Sequence, residues 1–146
     1  MSETTAGDSN RVKHLELIQA AVTRMGQNSF TVRGWSVTLV SVVFALIAAK
    51  DAPPLAALIA LIPAVVFWGL DAYYLRQERL FRQLYEAAAA DLTGGTTRVT
   101  VFSMNPSAYS TNVPTWRATL FSRTVVPIPG VLVAIAVGYA AVATII

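Results

Sequence analysis

FWGLDAYYLRQERLFR, residues Phe67–Arg82, changes from an uncharged apolar sequence to a charged helix surface, with no proline or glycine after Gly69. Such a change is typical of a membrane span that continues as a helix beyond the bilayer. Trp68, Tyr73 and Tyr74 lie where the charge begins, and aromatic side chains with a polar group are enriched at membrane–water interfaces. The stretch therefore predicts one long helix that leaves the bilayer near these aromatic residues.

The composition separates this chain from typical soluble domains. Hydrophobic residues make up 55% of its 146 residues and charged residues 13%, whereas a soluble domain has about 25% charged residues. The net charge is only +3 and the basic residues are interleaved with acidic ones, so we expect no nucleic-acid partner. Cysteine is absent, which excludes disulfides, thiol nucleophiles and cysteine metal sites.

Three stretches carry no formal charge: Gly34–Ala49, Ala52–Leu70 and Thr124–Ile146. A transmembrane helix needs about 20 apolar residues. The first stretch is shorter and reaches this length only when Phe30–Val32 are included. Arg33 then lies within the span, and its charged group must extend to the lipid headgroups. The alternative, three buried helices of a soluble protein, would need a deeper core than a chain of this size provides. We therefore predict an all-α membrane protein with a helical hairpin and a C-terminal span, its transmembrane helices at residues 30–50, 53–72 and 124–146.

The parts outside the spans are assigned from local patterns. Residues 1–10 are predicted to be a disordered N-terminus, and residues 11–146 form a single integral membrane domain. Apolar residues recur every three or four positions in 11–28, which is typical of an amphipathic helix. The second span is expected to kink at Pro63 and to continue through 73–92 as a cytoplasmic stalk.

A polar segment of residues 93–123 connects the stalk to the third span, and we predict that it is cytoplasmic or interfacial. It begins with Gly94 and Gly95, which are expected to end the stalk helix. β-favouring residues then alternate over residues 97–104, which predicts either a short β segment or an interfacial one.

The basic residues predict the orientation. Four of the eleven lie before the first span, six lie between the second and third spans, and only Lys50 lies in the hairpin turn. Because cytoplasmic segments carry the excess of Lys and Arg, the N-terminus and the central region are expected in the cytoplasm. The hairpin turn and the C-terminus are then expected outside.

The two cytoplasmic helices each carry an apolar stripe that needs a partner. We expect the stripes to pack against each other or against another subunit. The predicted stalk-packing residues are Leu80, Phe81, Leu84 and Tyr85 on the second helix, and Val12, Leu15, Ile18 and Val22 on the first.

Arg33 and Asp71 lie at the same expected depth on neighbouring antiparallel helices, which predicts an ion pair at the membrane interface. Such a pair can lock two helices together, and a carboxylate in a membrane can also serve an ion path or a gate. If the protein forms a pore, Ser36, Thr38 and Ser41 are the polar lining that the first span offers.

Gly130, Ala134 and Gly138 are four residues apart in the third span, a spacing that lets two helices approach closely. They are predicted to pack helices together, either within one chain or between subunits. No catalytic set or metal set is visible, because His14 is the only histidine and the carboxylates show no paired spacing. We expect neither an enzyme nor a cofactor.

Two blocks, RMGQNSFTVRGWSVTLV (Arg24–Val40) and FWGLDAYYLRQERLFRQLYE (Phe67–Glu86), give the chain a layout that resembles the two-span membrane effectors of bacterial conflict systems of the SLATT type. The resemblance covers an N-terminal helix, a tight hairpin and a long continuation of the second span. It implies an oligomer in the bacterial inner membrane that perforates or depolarises the membrane when a partner sensor is triggered. The third span and residues 93–123 depart from that layout.

Two functions remain open at this stage. The first is an oligomeric assembly that forms or gates a pore or perturbs the membrane. The second is a non-conducting scaffold or accessory subunit that recruits a soluble cytoplasmic partner through its cytoplasmic helices. In both cases the expected partners are the lipid bilayer and further copies of the chain.

Overall fold

A computed structural model describes residues 2–50, 53–95 and 98–145 of the chain. The fold is all-helical, with no strand in these described ranges. Its four α-helices are α1 (Ser2–Ala49), α2 (Leu61–Leu92), α3 (Trp116–Leu120) and α4 (Pro127–Ile145), and two 3₁₀ helices cover Pro54–Ala60 and Ser107–Tyr109.

Two of the helices are long and apolar enough to cross a membrane, judged by length and composition over the described residues: Gly7–Ile47 and Ala56–Leu92. Only 17% of the most apolar window of the first is buried, and 28% of that of the second. The apolar part of α4, Pro127–Val142, is shorter. The protein thus contains two candidate spans whose apolar faces are mostly uncovered.

Helix α1 is longer than the sequence patterns predict. It begins at Ser2 and continues without interruption to Ala49, so residues 2–10 are helical where disorder was predicted. It also joins the predicted amphipathic helix 11–28 to the predicted span 30–50. The physical reason is that extending an existing helix needs no new nucleus, and a single interior glycine such as Gly26 costs only about 1 kcal/mol.

Helix α2 continues past the aromatic residues to Leu92, as predicted for the stalk. Its end is explained by two glycines. Gly94 has a φ of +85°, which a residue with a Cβ adopts only with strain. The Gly95 N–H donates to the Ala90 carbonyl at 2.8 Å, and a Cβ at Gly95 would come within 2.8 Å of that same oxygen.

Pro63 lies where a 3₁₀ helix gives way to α2, and the kink predicted there stays a prediction. The seven residues before α2 form a 3₁₀ helix, and Pro63 is the third residue of α2 itself. A proline lacks the N–H that would bond to the carbonyl four residues earlier, and its ring crowds that carbonyl. The preceding turn therefore takes the tighter 3₁₀ pattern. Asp51 and Ala52 of the predicted hairpin turn lie outside the described residues.

The predicted β segment at 97–104 is wrong over residues 98–104, the part that the structure describes. The Ser103 N–H donates to the Thr100 carbonyl at 3.0 Å, which closes a turn. Phe102 within that turn has a φ of 65°, outside the extended region that a strand requires. Alternating β-favouring residues do not form a strand here because no second strand is present among the described residues to pair with them.

The chain divides into two compact units. Unit 1 comprises Met1–Gln27 and Tyr74–Thr115, and unit 2 comprises Asn28–Tyr73 and Trp116–Ile146. The core of unit 1 is built on Ile18, Leu84 and Ala88, against which Leu15, Phe81, Tyr85, Val99 and Tyr109 pack.

Unit 2 is assembled around small side chains. One cluster joins Val40 of α1 to Ala60 and Ala64, with Leu132 of α4 packed against it. A second cluster joins Ile47 of α1 to Ala57 and to Ala140 of α4. Alanines at helix contacts allow close backbone approach, which favours van der Waals packing.

Candidate functional site

A buried polar cluster connects α1 and α2 within unit 2. Asp71 is only 3% exposed. Its Oδ2 accepts a hydrogen bond from Arg33 Nε at 2.8 Å, which forms an ion pair, and its Oδ1 accepts a hydrogen bond from the Ser29 hydroxyl. Both carboxylate oxygens therefore have partners, as a buried charge requires. The predicted pair of Arg33 and Asp71 is present in the structure.

Ser29 is a member of this cluster that the sequence analysis missed. It is 5% exposed and lies four residues before Arg33, so both side chains project from the same face of α1. That spacing was a usable signal, since a hydroxyl one helical turn before Arg33 can donate to the same carboxylate.

A small cavity of about 10 Å³ adjoins the ion pair, a volume that accommodates about one water molecule. Ser36, 4% exposed, lines it. The other lining residues are Arg33, Phe67, Trp68, Asp71, Ile128 and Pro129. Aromatic and apolar side chains from α2 and α4 therefore flank the cluster, which suits a structural ion pair better than an ion path.

The three predicted pore-lining residues do not lie together. Ser36 is buried, whereas Thr38 and Ser41 are exposed. Residues two apart on an α-helix point in nearly opposite directions, so Ser36 and Thr38 cannot line one path. The Thr38 hydroxyl also donates to the Gly34 carbonyl of its own helix at 3.0 Å, which is the usual use of a threonine in such a helix.

The predicted packing stripe of α4 is on its exposed side. Gly130, Ala134 and Gly138 are all exposed, and a Cβ added at Gly138 would meet nothing within 4 Å. The contacts of α4 inside the chain use Ala136 and Ala140 instead, which are 1% and 6% exposed. Packing within the chain therefore leaves the small-residue stripe unused.

The predicted contact between the apolar stripes of the two helices is present in unit 1, where Leu15 and Ile18 of α1 pack with Phe81, Leu84 and Tyr85 of α2. Ile18, Leu80 and Leu84 are buried. Four others are half-buried: Leu15, Val22, Phe81 and Tyr85. Val12 is 51% exposed, so its assignment to the stripe was wrong.

His14, and not Val12, belongs to the buried face of α1 that contains Ile18. It is 3% exposed, its Nε2 lies 3.0 Å from the Ser103 carbonyl oxygen, and its ring centroid is 6.1 Å from that of Phe102. A polar ring can be buried when it has such a partner. His14, Ile18 and Ala21 are spaced so that they share one helix face. A search for apolar residues misses this face because it does not count histidine.

Two tryptophans attach α3 to α2 within unit 2. Trp116 Nε1 donates to the Gly69 carbonyl at 3.1 Å, and Trp68 Nε1 donates to the Leu120 carbonyl at 2.9 Å. The Trp68 and Phe121 rings meet edge to face, with centroids 5.7 Å apart. These reciprocal bonds hold the short α3 beside the residues of α2 that precede Asp71.

An exposed ion pair lies on α1 in unit 1. Glu16 accepts a hydrogen bond from Lys13 Nζ at 2.8 Å, and this bond raises the pKa of the exposed Lys13 ammonium. No group of three or more acidic or histidine side chains in the described part of the chain could hold a metal ion.

Comparison with known proteins gives no relative, since no family model, no curated protein and no solved structure matches the chain. The functional interpretation therefore rests on the geometry of the two units.

Proposed function

We propose that the chain is a small oligomeric protein of the bacterial inner membrane that crosses the bilayer three times and presents unit 1 to a soluble cytoplasmic partner. The observation that carries this proposal is the apolar exterior of unit 2. Large apolar side chains that are more than half exposed occur on each of its long helical segments: Phe30, Trp35, Leu46, Ile59, Ile62, Val65, Val66, Val131, Ile135 and Val142. Soluble monomers rarely expose apolar surface on this scale.

The third span is supported by the length and composition of α4. Its 19 residues carry no charge and correspond to about 28 Å of helix, close to the hydrocarbon thickness of about 30 Å. Apart from Tyr139, the residues of α4 that are described as exposed are apolar or small, which suits a lipid-facing surface. The distribution of basic residues supports a cytoplasmic N-terminus and an external C-terminus.

Two observations favour a scaffold role over ion conduction: the Asp71 carboxylate already has partners, and unit 1 has a groove. In unit 2 the carboxylate of Asp71 is fully engaged by Ser29 and Arg33, so it is a helix lock in this proposal. Unit 1 offers a partner a groove of about 290 Å³. The groove is lined by Gln19, Val22, Arg82, Tyr85 and Glu86, a mixed polar and aromatic surface of the kind that protein interfaces use.

A pore or membrane-perturbing assembly is the second candidate. It is favoured by Thr38 and Ser41, which are exposed and share one face of α1, and by the unused stripe of α4. Copies that associate through Gly130, Ala134 and Gly138 could bring those hydroxyls around a common axis. This candidate agrees with the layout that resembles SLATT-type effectors.

One set of measurements separates the candidates. The purified protein is analysed by native mass spectrometry in mild detergent, and Gly138→Leu is compared with Gly34→Leu, the same change at an exposed glycine of α1 that also has open space around it. We expect a homo-oligomer that Gly138→Leu dissociates and Gly34→Leu preserves. A strictly monomeric protein would contradict the assembly part of the proposal.

Function is then assigned from liposomes and native membranes. Release of a small dye from liposomes by the wild-type protein would select the pore. A sealed bilayer, together with a cross-linked heteromer in native membranes that Val22→Arg abolishes and the exposed Thr23→Arg does not, would select the scaffold. A protein that neither leaks nor forms a heteromer would contradict both.

A further inference from the structure

Beyond the proposed assembly, the end of unit 2 that contains α3 has an unusual combination of exposed groups. Arg117 and Arg123 are both exposed. Three exposed aromatic side chains belong to the same end of the unit: Trp116 at 42%, Phe121 at 69% and Phe30 at 79%. Cationic and aromatic side chains occur together where a protein surface meets lipid headgroups.

The two guanidinium groups have no carboxylate to neutralise them. Within the described ranges neither Arg117 nor Arg123 forms an ion pair, and the sequence contains no Asp or Glu after Asp91. Asp71, the nearest acidic residue of unit 2 along α2, is already paired with Arg33. The surface of this segment therefore has a local positive charge that only an external anion can balance.

The segment is also held in a fixed position. The Trp116 indole bonds to the Gly69 carbonyl, and the Trp68 indole bonds to the Leu120 carbonyl. Thr119, on the inward side of α3, is fully buried. Arg117 and Arg123, before and after Thr119 in the sequence, therefore belong to a segment that loses little conformational entropy when it binds a ligand. This favours affinity.

We infer that residues 116–123 bind the phosphate headgroups of acidic phospholipids in the cytoplasmic leaflet. This inference rests on the proposed membrane insertion, because Gly69 and Asp71 then lie at the cytoplasmic boundary of the second span and α3 lies at headgroup depth. Guanidinium groups bind phosphate oxygens in a bidentate manner, and the aromatic rings take the interfacial layer beside them. An acidic phospholipid supplies both the anion and the acyl chains, which a soluble anion does not.

The expected magnitude follows from the charge. Each basic residue near an acidic lipid surface strengthens binding by about fivefold. Removal of both charges by the double variant Arg117→Gln/Arg123→Gln should therefore weaken binding of phosphatidylglycerol by about 30-fold. Binding of phosphatidylcholine, which has no net charge, should be unaffected. The preference for the acidic lipid should also weaken at high salt, since exposed charges are screened.

The test uses the full-length protein in detergent. Bound lipid is counted by native mass spectrometry during titration with phosphatidylglycerol or with phosphatidylcholine. The matched control is Arg24→Gln/Arg98→Gln, which removes the same charge from exposed positions of unit 1. Arg117→Lys/Arg123→Lys retains the charge and should retain most of the preference, which separates loss of the anion site from loss of folding.

Three results would overturn the inference: equal binding of both lipids by the wild-type protein, an equal loss in the control variant, or displacement of the lipid by millimolar inorganic phosphate. The last result would indicate a site for free anions. Insertion is measured separately, by alkaline extraction of the protein from phosphatidylcholine liposomes. A protein that resists extraction but shows no acidic-lipid preference contradicts only this inference, whereas an extracted protein contradicts the proposed function.

Discussion

Replacement of Asp71 by alanine is the perturbation whose effect the structure specifies best. The substitution removes both hydrogen-bond acceptors at once and leaves Arg33 and Ser29 without their partner. Loss of one member of a buried ion pair destabilises a protein by about 3–5 kcal/mol. The Arg33 side chain remains 27% exposed, and solvent can rehydrate part of its charge. We therefore expect a loss near the lower limit, about 3 kcal/mol.

Two further variants separate the contribution of the charge from that of the hydrogen bonds to this loss of stability. Asp71→Asn keeps the shape of the side chain and one acceptor oxygen, but it removes the charge and replaces the other acceptor with an NH₂ donor. Neutral hydrogen bonds are worth about 1 kcal/mol less each than charged ones. We expect it to cost about 1–2 kcal/mol. The double variant Arg33→Met/Asp71→Asn leaves no unpaired charge, so it should be less destabilised than the sum of the two single variants.

The assay is equilibrium unfolding of the purified protein in mixed micelles with increasing mole fraction of sodium dodecyl sulfate, followed by circular dichroism. Thr38→Ala is the control, because the exposed Thr38 hydroxyl bonds only to its own helix. The reasoning is refuted if Asp71→Ala unfolds at the same point as Thr38→Ala. It is also refuted if the double variant equals the sum of the single ones, because then Arg33 and Asp71 are not energetically coupled.

Three further effects are expected on local stability. His14→Ala should leave the Ser103 carbonyl without its partner and cost about 1–3 kcal/mol, detected as faster proteolysis within residues 98–115; an unchanged cleavage rate would contradict the role of His14 as a loop anchor. Gly95→Ala places a Cβ within 2.8 Å of the Ala90 carbonyl oxygen and should lower the thermal unfolding temperature, whereas Gly7→Ala, with open space around it, should not. Thr119→Val removes a fully buried hydroxyl that has no hydrogen-bond partner and should raise stability by about 1 kcal/mol; a loss of stability would show that the hydroxyl is satisfied.

The polar cluster shows how far sequence reasoning reaches. Arg33 and Asp71 were predicted to pair because hydropathy locates both at the same boundary of adjacent helices. Ser29 was missed, although its spacing of four residues from Arg33 puts it on the same face of α1. Ser36 is buried and Thr38 is exposed because of the way α1 is rotated about its axis. The sequence does not show that rotation, so it could not distinguish these two hydroxyl residues.

Unit 1 shows what helical periodicity predicts and what it misses. The stripe containing Ile18 and Leu84 was predicted correctly from helical periodicity. Val12 was wrongly assigned to the stripe and His14 was left out of it, because periodicity counts apolar residues. His14 is buried with its ring nitrogen against a carbonyl oxygen in a loop that lies 89 residues later in the sequence. The same loop contains Phe102 in a left-handed conformation, which alternation of β-favouring residues does not anticipate.

Local sequence by itself determined the helical character of the chain, the long apolar segments and the end of α2 at the glycines, because hydropathy, helix propensity and glycine conformation act over a few neighbouring residues. Tertiary structure alone decided which face of each helix is buried, how the two tryptophans hold α3, and that the small residues of α4 remain uncovered. These features depend on contacts between residues distant along the chain, and such contacts select among the faces that an amphipathic or wholly apolar helix offers.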